Sequence, residues 1–330
     1  TAERTGEEQP VHLEYRFRCK EGTWRWLHEK QNLITGNEGE TEVLVVCWDV
    51  TERKLAEKLI QARANLLSYS DGHSLEEIIQ KTLDEACNIA GSPFGFYHLM
   101  GADEKTPTLT VWSAAALEHF CEIKVGQGMH CNEAEGGIWV DCLRTRRPVI
   151  YNDYASLPYR KGLPEGHPTV TRELVVPIMR QGKIVAVLGV GNKPRDYTEQ
   201  DVQIASYFAD LAWSMAEHKR VEEKIRYISF HDMLTGLYNR PFLKEEMQRL
   251  DSMEGKLPIS ILIADLNGLK LVNDTYGHDA GDEMLRTVAD AIRDFCRRED
   301  IMARWGGDEF VILLPRTPRE EARQIGRNIR

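Results

Sequence analysis

The sequence predicts a multidomain protein of the α/β (α+β) class, and three observations carry that expectation. Its 330 residues exceed the roughly 100 to 200 typical of one domain. Stretches with a two-residue apolar period, the signature of strands, alternate with stretches of the 3.6-residue helical period. Two of the helical stretches are long, carry one apolar stripe each, and stand between blocks of strand pattern where connectors are expected.

Composition narrows the class further. Aliphatic, aromatic and Cys residues make up 42% and charged residues 28%, enough apolar material to bury a core. The net charge of −10 argues against broad nucleic-acid binding through the phosphate backbone. Seven cysteines, never in C-x-x-C spacing, indicate neither a disulfide framework nor a zinc site, and a cytoplasmic protein with reduced thiols is expected. The longest apolar runs, such as Ile184 to Val190, fall far short of the ~20 residues that span a bilayer. The polar opening at Thr1, without an initiator Met, suggests a piece of a longer chain.

The first block is a predicted strand meander. Val11, Leu13, Tyr15, Phe17 and Cys19 alternate with His12, Glu14, Arg16 and Arg18, the pattern of a half-buried strand. Glu21-Gly22 then reads as a turn, Thr23 to Ile34 as a strand, Gly36 to Gly39 as a turn, and Glu42 to Val50 as a third strand. The run Asp49-Val50-Thr51-Glu52-Arg53-Lys54 closes it, with Asp49 or Thr51 placed to cap a following helix. On these residues, 1–54 resemble the C-terminal part of a PAS domain, whose antiparallel sheet commonly ends in D-[IV]-T-E-R-K. Leu55, Leu59, Ala62 and Leu66 continue at helical spacing, which predicts a linker helix over 55–70.

Residues 71–213 show a helix from Leu75 to Ala90, then strands near Gly95 to Met100, Thr108 to Ala114, Val149 to Tyr151, Glu173 to Arg180 and Lys183 to Asn192. A hairpin turn is expected around Gly182. That order, with the phrase from Glu173 through Val-Val-Pro-Ile to Val190-Gly191, resembles a GAF domain, an α/β sandwich used for sensing or dimerisation. Cys121, His130, Cys131 and His167, with Trp112 and Trp139, form a candidate ligand box. Cys121 and His167 are the pair singled out, because thiolate and imidazole hold haem iron or soft metals. A second amphipathic helix runs from about Asp201 to Ser229, with a break in phase between Met215 and Val221. Its part over 214–229 reads as a dimeric signalling helix.

The chemistry concentrates after Phe230. Asp232-Met-Leu-Thr-Gly-Leu-Tyr-Asn-Arg240 predicts a capped turn that feeds a helix with Pro241 in its first turn. Ile259 to Leu266 reads as a buried strand whose charge, Asp265, falls near its C-terminal end, where ligand sites of helix-flanked sheets tend to lie. Asn267 to Asp282 is a polar, glycine-punctuated stretch before a helix with Leu285, Val288, Ala289, Ile292 and Phe295 inward. An EF-hand starting at Asp265 fails, since Tyr276 stands where the bidentate Glu is required. In Met302 to Pro315 the pair Gly306-Gly307 separates two apolar runs, a hairpin signal resting on turns with positive φ. That places Asp308 and Glu309 at the hairpin tip. Beside Asp265 they would offer hard oxygen ligands suited to Mg²⁺ or Mn²⁺ with a nucleoside triphosphate, while the two glycines admit phosphate close to the backbone.

Residues 230–330 resemble the GGDEF domain of diguanylate cyclases, on the D-x-L-T-G-L-x-N-R entry, the run from Asp265 through Lys270, Asn273, Asp274, Gly277, His278 and Gly281 to Asp282, and Gly306-Gly307-Asp308-Glu309-Phe310. The resemblance implies a nucleotidyl-cyclase-like, ferredoxin-type βαββαβ core, truncated here at its C-terminus and of doubtful activity by itself. It further implies condensation of two GTP into cyclic di-GMP and pyrophosphate across a homodimer. Asp265, the Leu266 carbonyl, Asp308 and Glu309 would hold the metal, and Asp308 would accept a proton. Lys270 would meet phosphate, Asn273 and Asp282 would hold guanine, and Asp rather than Ser at 282 favours the di-GMP product. Arg297 and Asp300 match the family's R-x-x-D site for inhibition by its own product. Two rival readings are a non-enzymatic cyclic di-GMP receptor and a sensory module whose GAF ligand is the function.

Overall fold

The computed structural model describes residues 11–20, 22–35, 41–119, 139–157, 169–251 and 257–329. It is a mixed α/β, multidomain architecture with three separate sheets among the described residues, divided into two compact units, Thr1–Glu217 and His218–Arg330.

The first unit opens with the meander: β1 (Val11–Arg18), β2 (Trp24–Thr35) and β3 (Thr41–Asp49), antiparallel and in that order. The alternation of β1 is real, yet the strand is not half-buried. Val11 and Phe17 remain 50% and 51% exposed, because no layer among the described residues covers that face. Helix α1 (Thr51–Ser70) follows. Its N-cap position is Val50, with no side-chain cap bond. Asp49 instead accepts from the Thr51 N–H at 2.9 Å, and the Thr51 hydroxyl accepts from the Trp26 N–H at 2.9 Å, so the pair pins the helix start to β2.

Next come α2 (Leu75–Ala90), β4 (Phe94–Met100), β5 (Pro107–Trp112), α3 (Ala114–His119), α4 (Trp139–Thr145), β6 (Val149–Tyr151), β7 (Glu173–Arg180), β8 (Lys183–Gly191) and α5 (Glu199–Phe230). Ser74 and Glu77 close α2 with a reciprocal capping box. The five strands pair in the order β5-β4-β8-β7-β6. On one sheet face, Ala62 and Leu66 of α1, Ile78 and Leu83 of α2 and Phe208 of α5 share a core with Tyr97 and Leu188. The other face packs Phe94, Phe96 and Val187 against Trp139 and Cys142 of α4. The β7–β8 turn has Gln181 and Gly182 at φ 50° and 76°, the two positive angles that match a hairpin's twist. Along α5 the side chains are buried as far as Ala216, after which Val221, Ile225 and Ile228 are exposed. The phase break in the sequence thus coincides with the end of core packing.

The second unit contains β9 (Tyr238–Asn239), α6 (Arg240–Asp251), β10 (Ser260–Asp265), α7 (Leu269–Tyr276), α8 (His278–Phe295), β11 (Ile301–Gly306), β12 (Glu309–Leu314) and α9 (Arg319–Ile329). Its sheet has the order β10-β12-β11-β9, antiparallel except for the β11–β9 pair. Helices α8 and α9 cover one face through Leu285, Ile292 and Ala322, and α6 covers the other through Leu243 and Leu250. Two expectations are corrected and one is made definite. The strand after Ile259 is an edge strand with alternating burial, and Ile261 and Ile263 are 49% and 75% exposed. Residues 269–276, read only as part of a polar, glycine-punctuated stretch, form helix α7, started and stopped by Gly268 and Gly277 at φ 84° and 88°, angles glycine adopts without steric penalty. Phe295 is 48% exposed, because the core-facing line of α8 runs through Leu285, Ala289 and Ile292 to Cys296 and leaves Phe295 beside it. No helix among the described residues is long and apolar enough to cross a membrane.

Candidate functional site

The site is assembled at one end of the second sheet. In the β10–β12 ladder Asp265 lies directly opposite Glu309, and the Leu266 N–H donates to the Asp308 carbonyl at 3.0 Å. Directly opposed residues share a face, with Cβ atoms about 4.5 to 5.5 Å apart, so these two carboxylates are neighbours by register alone. They fall on the α6 side, since Glu309 alternates in phase with the packed Val311 and Leu313. Asp308 occupies the turn between β11 and β12.

The hairpin turn falls one residue later than the Gly306-Gly307 pair predicts: Gly306 ends β11 opposite Glu309, and Gly307 and Asp308 make the turn. Neither glycine adopts a left-handed φ. A Cβ at either would meet nothing within 4 Å, so what these glycines keep open is space in front of the turn. That is the property needed where another molecule must approach the backbone. The ladder shifts register between Arg304 and Gly306, a bulge of the sort that re-aims side chains beside sites.

The donor set is hard oxygen, two paired carboxylates, a third at the turn and backbone carbonyls. Among the described residues no three His, Cys, Asp or Glu side chains are gathered into a cage. Such an arrangement fits Mg²⁺, which keeps several waters and binds through one or two carboxylates plus substrate phosphates rather than in an all-protein shell.

Helices α7 and α8 present the next group. Asn273 and Asp282 are half-buried, while Lys270 is exposed. Gly281 makes their arrangement possible: a Cβ there would lie 1.9 Å from the Asn273 Oδ1. The Asn273 amide therefore occupies a notch in α8, one residue from Asp282.

Arg297 and Asp300 turn out differently from a pair of exposed ligands. The Arg297 guanidinium is paired with Glu321 of α9, which raises its affinity for its proton. Asp300 is only 4% exposed. Its Oδ2 accepts from the Arg297 N–H at 2.7 Å, and its Oδ1 is a buried oxygen without a partner. Burial pushes its carboxyl above the usual range, against the Arg297 N–H and charge.

Several residues went unrecognised in the sequence. Arg304 donates from Nε and Nη2 to the Gly307 carbonyl, at 3.0 and 2.7 Å, and meets Asp232 at 3.3 Å. Asp232 also accepts from the Thr235 N–H and hydroxyl. Partial burial opposes, yet these bonds and Arg304 together hold its carboxyl below the ordinary range. Trp305 lies under Arg240, 4.6 Å from guanidinium to ring centre. The signal available was position alone: both residues directly precede Gly306.

Of the ligand box in the first unit, Cys121, His130, Cys131 and His167 lie outside the described residues. Trp139 is buried and Trp112 partly so, on the sheet face away from α2. The sequence reading overlooked His98 and Glu173 there. His98 accepts or donates at 3.0 Å to the Thr110 hydroxyl, and burial holds its pKa down at about 3. Glu173 is 8% exposed, and burial pushes its carboxyl up to about 8.

Comparison with known proteins follows this division. Residues 72–217 match the GAF domain family and residues 229–330 the family described as diguanylate cyclase, GGDEF domain. The chain therefore carries a GAF domain followed by a GGDEF domain. It is 35% identical over 218 residues to the methyl sulfide methyltransferase-associated sensor of Methanosarcina acetivorans, covering 64% of this chain and 22% of that protein. With the diguanylate cyclase DgcM of Escherichia coli it shares 38% identity over 122 residues, 36% of this chain and 30% of the relative. A solved structure of the coiled coil and GGDEF domain of DgcB from Caulobacter crescentus, in complex with c-di-GMP, is 32% identical, covering 37% of this chain and 66% of that one with a TM-score of 0.33. The chain thus spans less than a third of the length of these curated relatives.

Proposed function

We propose that this chain is the sensing and catalytic part of a diguanylate cyclase, which joins two GTP molecules into cyclic di-GMP with release of two pyrophosphates. The observation that carries the reading is the register of β10 on β12, which puts Asp265, Glu309 and the Asp308 turn at one sheet end before an open glycine corner. Asp265, the Leu266 carbonyl, Asp308 and Glu309 would hold Mg²⁺ or Mn²⁺. A divalent ion there supplies charge neutralisation on the triphosphate. Lys270 binds phosphate, Asn273 and Asp282 hold the guanine edge, and Gly306 and Gly307 leave room for the α-phosphate. Asp308 takes the proton of the attacking 3′-hydroxyl. A new bond forms from that oxygen to the α-phosphorus of the second GTP as its bond to pyrophosphate breaks, and the reciprocal attack closes the ring.

Because each GTP is presented by a separate domain, the reaction needs a homodimer, and the exposed Val221, Ile225 and Ile228 stripe on α5 is the surface suited to build it. The meander over residues 11–49 fits the second half of a PAS domain, which together with the GAF domain supplies the input. Product inhibition at Arg297 and Asp300 requires that Asp300, 4% exposed with its Oδ1 buried and unpartnered, be uncovered so that this oxygen can accept from a base N–H. In that reading Arg297 exchanges Glu321 for the ligand.

The test is turnover of GTP with Mg²⁺, with products separated by chromatography, for this chain, for a C-terminally extended form, and for the Asp308→Ala variant of the extended form. Cyclic di-GMP from the extended parent and none from its variant is expected. Equal product from the extended parent and its variant, or binding of cyclic di-GMP without turnover by any form in the presence of Mn²⁺ or Mg²⁺, would overturn the assignment.

A further inference from the structure

We infer that Arg304 is a positioning residue for the signature turn, and that it ties the turn to the chain segment leaving α5. The inference rests on the cyclase reading for its consequence, but its geometry stands by itself. Ala303 is packed in the core on the α6 side, so Arg304, next along the strand, leaves from the opposite face. There its guanidinium makes two hydrogen bonds to one acceptor, the Gly307 carbonyl. In a trans peptide the C=O and the following N–H point in opposite directions. Drawing the Gly307 carbonyl toward the α8 side therefore turns the Asp308 N–H toward the side occupied by Asp265 and Glu309. The peptide presents a donor where an anionic oxygen is expected, and Asp308 leaves the turn from a fixed origin.

The remaining arm of the fork reaches Asp232, which lies two residues beyond the end of α5 and is itself locked by Thr235. Arg304 is only 16% exposed at its side chain, so water competes poorly for these bonds. A second contact fastens the same segment: Asn239 donates to the Ile228 and Ser229 carbonyls in the last turn of α5 and accepts from the Phe242 N–H. The guanidinium is well suited to the role, since its planar fork serves a carbonyl and a carboxylate at once. A lysine ammonium, a single point of charge, serves one of them well.

The experiment compares Arg304→Met, Arg304→Lys and Asp232→Asn with Arg293→Met in this chain. Arg293 is the control because it also braces the entry turn, through the Thr235 carbonyl at 2.6 Å, without touching the signature. Expected for Arg304→Met is a kcat lower by about a hundredfold, the size of effect that small misplacement of a reacting group produces, with KM for GTP within about threefold. Arg304→Lys and Asp232→Asn should fall between, and Arg293→Met should lower thermal stability with kcat retained. The Asp308 amide resonance, sensitive to hydrogen bonding at the preceding carbonyl, should move in Arg304→Met and stay in place in Arg293→Met. A kcat unchanged in Arg304→Met, or lost equally in Arg293→Met, overturns the inference. If neither this chain nor a C-terminally extended form makes product, the cyclase reading fails while the amide resonance still decides the turn: no movement in Arg304→Met sinks the proposal.

Discussion

The pairing of Asp265 with Glu309 makes a prediction in which one substitution changes sign with conditions. At a charge separation of about 5 Å, taken from the Cβ spacing of a directly opposed pair, two carboxylates repel by roughly 0.8 kcal/mol in water, and by about half that at physiological salt. Glu309→Gln removes that repulsion and keeps the shape of the strand. In chelator, the second unit of the variant should therefore be more stable by about 0.4 to 0.8 kcal/mol, a rise of roughly 2 to 5 °C for a unit of this size. With Mg²⁺ and a GTP analogue methylene-bridged between the α- and β-phosphorus, the order should reverse. Ligand at a hundred times its Kd stabilises the parent by about 2.7 kcal/mol, and a hundredfold loss of affinity leaves the variant about 0.4 kcal/mol. Calorimetry of the whole chain in both conditions reads the effect on the second unit's transition. A variant that is less stable than the parent in chelator, or that keeps the full ligand-induced rise, would refute the reasoning that these carboxylates are paired for a cation.

Two further outcomes are expected. Glu173, with its folded pKa up near 8 and an unfolded value of about 4.3, keeps its proton in the fold when the unfolded chain has lost it. Stability of the first unit should then fall as pH rises from about 4.5 to 8, by on the order of 3 kcal/mol at pH 7, and Glu173→Gln should abolish that slope in urea titrations. Gly281→Ala drives a Cβ into the Asn273 Oδ1 position. The amide can swing aside, so the unit should lose only about 1 kcal/mol, while the affinity for a GTP analogue measured by calorimetry falls about tenfold. Unchanged affinity would show that Asn273 does not contact the base.

Much of this protein was written in local pattern. The period-2 run of β1, the helical stretch of α2 and the turn at Gly182 follow from residues a few positions apart, and local sterics decide them. The order of motifs from Asp232 to Phe310 likewise marked the segment that carries chemistry before any coordinate was known. Other features were invisible at that range. Whether a strand with an apolar face is covered depends on what packs against it, so β1 alternates as read and β10, read as buried, alternates in burial, and both leave apolar residues exposed: Val11, Phe17, Ile261 and Ile263. Helix α7 was hidden because its polar residues and flanking glycines resemble a loop until its contact with α8 holds it in place.

The sequence by itself determined which residues are candidates for the site, Asp265, Lys270, Asn273, Asp282, Asp308 and Glu309, because residue type fixes charge and donor capacity. Only the tertiary structure decided that Asp265 faces Glu309, that Gly281 makes the notch for Asn273, that Asp300 is buried with one oxygen unpartnered, and that Arg304 holds the Gly307 carbonyl. The widest of these contacts, Asp265 with Glu309, joins residues 44 positions apart in the chain. Strand register and helix packing set them, and no local propensity encodes either.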